Sequence, residues 1–320
     1  MTGTKSTPLP GLAASQRLFA VVRERHATAR PTGRNSPLLV PARWMLRQLR
    51  TLRDRRMQAA VARAQRLLRA DSLVLAVPDF RGAFELELRN NTTRRLLLGG
   101  YERSLAQIFQ ALLEPGLHVV DIGANVGLYT VLAAQLVGPS GRVLSAEPIP
   151  NMLRLLRSNV ARNNLPQVEI FAGAVTSAAG TVSIEFVEGG EEYSSLGSIA
   201  HPDVPKQSRR RVDVPGETLD NLVAKHSLCP ALVKVDTEGA EGLVFSGAAG
   251  VLNEFRPAVT SELDDRLLGS LGYDSGKVVE LFAKCKYRVF DEGTGAELLP
   301  GQARGPFVGE IVALPREACD

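Results

Sequence analysis

The chain has 320 residues, of which 44% are hydrophobic, 22% charged and 5% aromatic. That is ample apolar material for a sizeable core, while no apolar run approaches the ~18 residues of a membrane-spanning helix and the run Leu18–Val22 is too short for a secretory signal. Three scattered cysteines (Cys229, Cys285, Cys319) and four histidines (His26, His118, His201, His226) form neither a disulfide framework nor a zinc pattern, which points to a reducing, cytoplasmic compartment.

The net charge of +4 conceals an asymmetry: residues 1–70 carry 15 basic against 2 acidic side chains, the remainder 23 against 32. A basic arm is joined to an acidic domain. Residues 1–40, rich in Pro, Thr, Ser, Gly and Arg, read as mostly disordered. Pro41 opens a helical pattern over 41–70, with Leu46, Leu49, Met57, Ala60, Ala64, Leu67 and Leu68 recurring at three and four residues among many arginines. Such a basic amphipathic helix packs on its own domain, or lies peripherally on an anionic membrane or a partner. Nucleic acid is disfavoured because aromatic interleaving is absent and Trp44 stands alone. The arm, 1–70, is expected to be separable from the fold, with 71–116 leading into a main domain at 117–320.

Residues 72–100 read as short strands, Leu73–Val77, Phe84–Leu88 and Arg94–Leu98, before a helix from Glu102 to Leu113. Strand and helix then alternate: His118–Ile122, Val126–Val137, Arg142–Glu147, Asn151–Asn164 and Val168–Phe171. Ala174–Val187 is expected to be a hairpin and Glu188–Gln207 a long loop. Strands Ala231–Asp236 and Pro257–Glu262 continue the sheet, and Tyr287–Phe290 with Val308–Leu314 supply a terminal antiparallel hairpin. The alternation predicts an α/β fold with a doubly wound, mostly parallel seven-stranded sheet.

The chemistry concentrates at two strand ends. Asp121-Ile122-Gly123-Ala124-Asn125-Val126-Gly127 runs from a strand through a glycine turn into a helix. Its spacing is G-x-x-x-G, which serves a dinucleotide pyrophosphate less well than G-x-G-x-x-G. An acid two residues before the first glycine suits a cationic ligand instead. Glu147 ends the next strand, where a carboxylate accepts hydrogen bonds from a ribose diol. Together Asp121, Gly123, Asn125, Gly127 and Glu147 describe a pocket for S-adenosylmethionine, a ribonucleoside with a cationic, amino-acid-like tail.

These residues also carry a resemblance. The Asp121–Gly127 block, Ala146-Glu147-Pro148, Asn159 with Asn163-Asn164, Thr218-Leu219-Asp220, Lys234-Val235-Asp236-Thr237-Glu238-Gly239-Ala240-Glu241, and Arg256-Pro257 with Glu262 resemble, in order and spacing, the FkbM family of methyltransferases. The resemblance runs from about Tyr101 to Leu314. It implies a class I, Rossmann-like methyltransferase fold, S-adenosylmethionine as donor and usually an oxygen acceptor.

Lys234, Asp236 and Glu238 alternate, so all three are expected on one side of one strand. Lys234 is most simply an ion-pair partner. Asp236 and Glu238 are candidate catalytic bases, and Glu241, in the first turn of the next helix, joins them as the third acid. A second route has Asp236 and Glu262 hold magnesium, lowering the acceptor hydroxyl pKa. His201 in the long loop is an alternative base. With Tyr193, Ser194, Ser195 and Ser198 nearby, the acceptor is expected to be a sugar, a glycan or a secondary metabolite, methylated on oxygen. Nitrogen or carbon methylation, or a non-catalytic membrane-associated scaffold, are the alternatives.

Overall fold

The computed structural model describes residues 10–28, 71–97, 103–187, 190–196, 209–301 and 306–320. In chain order, α1 (Pro10–Thr28) precedes a hairpin of β1 (Ser72–Val77) and β2 (Gly82–Glu87), then α2 (Asn91–Leu97) and α3 (Arg103–Leu112). The alternating run is β3 (His118–Ile122), α4 (Leu128–Val137), β4 (Arg142–Ala146), α5 (Pro150–Arg162) and β5 (Val168–Phe171). Next come β6 (Ala174–Val175), β7 (Gly180–Val187), β8 (Gly190–Leu196) and β9 (Arg209–Glu217), which form a separate sheet. Then follow α6 (Leu219–Lys225), β10 (Pro230–Val235), α7 (Glu241–Ser246), α8 (Ala249–Glu254), β11 (Ala258–Asp264) and α9 (Asp265–Leu268). The last elements are α10 (Ser275–Lys284), β12 (Tyr287–Asp291), β13 (Glu297–Leu298) and β14 (Val308–Pro315).

The main sheet has the order β13-β12-β14-β11-β10-β3-β4-β5. Strands β5, β4, β3, β10 and β11 pair in parallel, while β14 runs antiparallel to both β11 and β12. It has eight strands, where seven were expected. The extra one, β13, spans two residues and pairs on the outer edge of β12. Neighbouring residues of the strands feed opposite layers, as a sheet covered on both faces requires. Val119, Val312 and Leu314 pack with α3 and α4, whereas Val120, Ile311 and Ala313 pack with α6, α7 and α10. The chain leaves β3 toward β4 and β5, then returns to lay β10 on the other side of β3. The strand order therefore reverses between β3 and β10, and the carboxyl ends of these strands are where open α/β sheets form their ligand crevice.

Four expectations are corrected. Residues 10–28 are not disordered: α1 packs on β10, β11, β14 and α3, burying Ala14, Leu18 and Val22 at four-residue spacing. Arg17 donates to the Leu112 carbonyl at 3.0 Å, and a Cβ on Gly11 would sit 2.5 Å from the Phe255 carbonyl oxygen. The arm is thus not separable as a whole, because its first helix belongs to the core. Second, the strand expected at Arg94–Leu98 is helix α2: the Thr92 N–H donates to Asn90 Oδ1 at 2.7 Å, so a buried asparagine starts a helix where the apolar residues suggested a strand. Third, β6 and β7 do not form a hairpin; both pair with β9, β6 in parallel and β7 antiparallel. Fourth, part of the expected long loop is β8, which pairs with β7. The helix expected over 41–70 and His201 lie outside the described residues. No described helix is long and apolar enough to cross a membrane.

Candidate functional site

The glycine turn hangs from the end of β3 in the crevice. Both glycines have left-handed backbone, φ +75° at Gly123 and +89° at Gly127. Their bare Cα atoms are also required by packing. A Cβ on Gly123 would lie 1.8 Å from the Asp236 carbonyl oxygen, and one on Gly127 would lie 2.6 Å from Leu156. So the glycines shape the turn by letting protein, rather than ligand, come close. Asn125 between them has φ +52°, unusual for a side-chain-bearing residue. Its N–H donates to Glu147 Oε2 at 2.8 Å, while its Oδ1 is buried without a hydrogen-bond partner.

Glu147 follows β4 and is 5% exposed. Its other oxygen, Oε1, accepts from the Ile149 N–H at 2.8 Å, so the carboxylate bridges the glycine turn and the start of α5. Burial pushes this carboxyl up to about 7; the Ile149 and Asn125 N–H groups oppose the rise, Asp121 adds to it and Lys234 opposes it. Each oxygen keeps acceptor capacity after one backbone bond.

Asp121 behaves differently from its expected role as an open anion. It is fully buried, Oδ2 accepts from Thr130 Oγ1 at 2.7 Å, and Oδ1 lies 3.5 Å from Lys234 Nζ. Thr130 also bonds Ser145 on β4 at 2.9 Å. The acid is therefore closed off by Thr130 and Lys234 beneath the glycine turn. Lys234, 3% exposed on the central strand β10, reaches Asp236 Oδ2 at 3.4 Å and lies 5.2 Å from the Tyr129 ring centroid. One buried ammonium thus spans the acid under β3 and the acid after β10. The ion-pair expectation for Lys234 matches this geometry.

The strand alternation expected to align Lys234, Asp236 and Glu238 stops early. β10 ends at Val235, and Glu238 and Gly239 have φ of +53° and +107°. Lys234 and Asp236 meet, but Glu238 stands in a turn. Glu241 explains the turn's shape. Its Oε1 accepts from the Thr237 N–H and hydroxyl, both at 2.9 Å, and from the Gly239 N–H at 3.2 Å. It is 2% exposed, and burial raises its carboxyl against those donors. Glu241 is therefore a pin for the loop. Asp236, by contrast, keeps 31% of its side chain exposed.

Glu262 is exposed on β11. Val235 pairs with Ser261, which sets Asp236 and Glu262 at neighbouring register positions. Among the described residues, however, no group of three or more His, Cys, Asp or Glu side chains is arranged to hold a metal ion. The magnesium alternative therefore gains no support from the described residues. The donor set does fit S-adenosylmethionine: a buried carboxylate with free lone pairs at a strand tip, and an orphaned amide oxygen beside it. Thr130 carried no signal in the sequence and is revealed only by its buried contact with Asp121, while Asn159 entered only as part of the family resemblance and gains a role from its contact with the glycine turn.

A family model described as the methyltransferase FkbM domain matches residues 121–289, more than half of the chain. An arsenite methyltransferase of Halobacterium salinarum is 40% identical over 65 residues, which is 20% of this chain and 17% of that protein. A protein-L-isoaspartate O-methyltransferase of Aeropyrum pernix is 32% identical over 125 residues, 37% of this chain and 44% of that one. The chain spans less than half the length of either relative. Among solved structures, the methyltransferase FkbM of Methylobacillus flagellatus KT aligns with a TM-score of 0.39 and 12% identity, covering 69% of this chain and 54% of that one. The matched stretch opens at Asp121 and takes in the glycine turn, Glu147 and the acid loop after β10, so the residues that build the crevice are the family's own stretch: this chain belongs to the FkbM methyltransferase family.

Proposed function

We propose that the chain is an S-adenosylmethionine-dependent methyltransferase that methylates a hydroxyl oxygen on a sugar, glycan or secondary metabolite. The observation that carries this reading is Glu147, a buried carboxylate at a strand tip whose two oxygens are each held by one backbone N–H. That arrangement leaves oriented lone pairs for a ribose diol. Asn125 Oδ1 is the acceptor available to the ligand's ammonium, while Gly123 and Gly127 give the turn its shape and Asp121 supports it from below. When bound, S-adenosylmethionine supplies an electrophilic methyl group on a sulfonium.

The chain's residues do the rest. Asp236 accepts the acceptor hydroxyl's proton and orients its oxygen, with Lys234 fixing the carboxylate. Glu238, in the adjoining turn, is the second acid within the same loop. The polar residues Tyr193, Ser194, Ser195 and Ser198 support a hydroxyl-rich acceptor. The basic stretch 41–70 packs on its own domain or supplies a peripheral contact with an anionic membrane or a partner, in a cytoplasmic protein.

A methyl-labelled donor presented with a panel of hydroxylated sugars and metabolites tests this. The label is expected on oxygen, read from its carbon chemical shift. Asp236→Asn should keep donor affinity and cut turnover by about 10²–10⁴, the usual share of a general base. Label on nitrogen or carbon overturns the oxygen assignment, and near-normal turnover in Asp236→Asn removes the carboxylate as base.

A further inference from the structure

Helix α5 and its C-cap residue face the hairpin with two asparagines, Asn159 and Asn163, one turn apart. Asn163 Oδ1 accepts from the Ala83 N–H at 2.9 Å, and its Nδ2 donates to the Ala83 carbonyl at 2.8 Å. Asn159 Oδ1 accepts from the Glu85 N–H at 2.6 Å, and its Nδ2 donates to the Glu85 carbonyl at 3.2 Å. Each side-chain amide does for β2 what a neighbouring strand would do. The repeat lengths agree: four residues of helix rise ~6 Å, and two residues of strand ~6.7 Å.

Asn159 makes one bond that Asn163 does not. Its Nδ2 also donates to the Val126 carbonyl at 2.8 Å, inside the glycine turn. Asn159 is fully buried. Glu147 holds the Asn125 N–H and Asn159 holds the Val126 carbonyl, so the two side chains bracket the Asn125–Val126 dipeptide. Asn125 holds φ +52°, a left-handed conformation uncommon for residues with a side chain, and these two anchors fix it from both sides. The hairpin has separate ties to α5, including Ser158 Oγ to Glu85 at 2.7 Å and Arg154 to Glu87 at 2.8 Å. Loss of one asparagine therefore leaves it docked.

We infer that Asn159 is a positioning residue for donor binding, and that through it the β1–β2 hairpin, which lies before the family-matched stretch, is part of the donor site. The inference rests on the donor reading above. The test is calorimetry on the full chain with S-adenosylhomocysteine as probe, comparing wild type, Asn159→Ala, Asn159→Asp and Asn163→Ala. Both Asn159 variants should bind about three- to tenfold more weakly, the scale of one lost hydrogen bond. Asn163→Ala removes the same kind of clamp on β2 without touching the turn. It should lose a comparable amount of thermal stability yet keep affinity within about twofold. Asn159→Asp keeps the acceptor for Glu85 and the side chain's shape, so it carries the test if the alanine variant does not fold. Equal weakening by Asn163→Ala, or none in the Asn159 variants, overturns the inference while leaving the donor reading in place. Failure of the wild type to bind the probe overturns the donor reading and the inference with it.

Discussion

A carboxylate taken out of water at a strand tip loses hydration that two backbone N–H groups only partly replace, and Glu147 shows the result in a carboxyl raised to about 7. A diol donates to the ionised form, so protonation competes with donor binding. Affinity should be fully present above about pH 8 and fall by about tenfold per unit below about pH 6. Calorimetry across that range checks the sign, and a flat profile sinks it. Glu147→Ala should lose roughly 1.5–3 kcal/mol of donor binding together with the pH dependence. Lys234 is the second telling residue. Asp121 is fully buried beside it, so Lys234→Met leaves an acid in the core without its nearby cation. Denaturant unfolding should show a loss of about 3–5 kcal/mol. Unchanged stability would mean that this pair is not what holds Asp121 in the core. The identity of these residues was legible from the sequence, and their depth was not. Asp121 and Glu147 both end strands in the sequence, yet one is sealed under Thr130 and Lys234 while the other bridges the glycine turn and the start of α5.

Among the elements, the alternating strands and helices from β3 to β5 were readable because each strand is a short apolar run closed by a turn signal. Helix α1 was not, because its buried stripe spans only Ala14 to Val22 and is flanked by segments rich in Pro, Thr, Ser, Gly and Arg. Nor was α2, where the Asn90 cap decides the conformation of a sequence with no helical period of its own. The position of α1 makes a concrete demand. Leu18, 1% exposed, packs in the core layer with α3 and α4, so Leu18→Ala should cost about 2–5 kcal/mol in thermal or denaturant unfolding. Removal of residues 1–28 should give an aggregating product. A truncated chain with unaltered stability would instead mean that α1 is an accessory to a core complete without it.

For the whole molecule, charge asymmetry is the property with a direct experimental handle. Residues 29–70 hold 11 arginines against Asp54. Sedimentation with anionic vesicles should therefore show binding at low salt that is lost at high salt, and that is reduced when Arg47, Arg50, Arg53, Arg55 and Arg56 are changed to Gln. Absence of salt-sensitive binding would remove the membrane reading. The division between sequence and tertiary structure has a physical basis. Period, turn residues and acids at strand ends are local patterns, and they were sufficient for the doubly wound sheet, the glycine turn and the two acidic loops. Contacts between distant segments have no local signature. The pressing of Gly123 against Asp236, the sealing of Asp121 by Lys234, the use of Glu241 as a loop pin and the clamp of Asn159 on both hairpin and turn depend on where β3, β10 and α5 meet, which only packing decides.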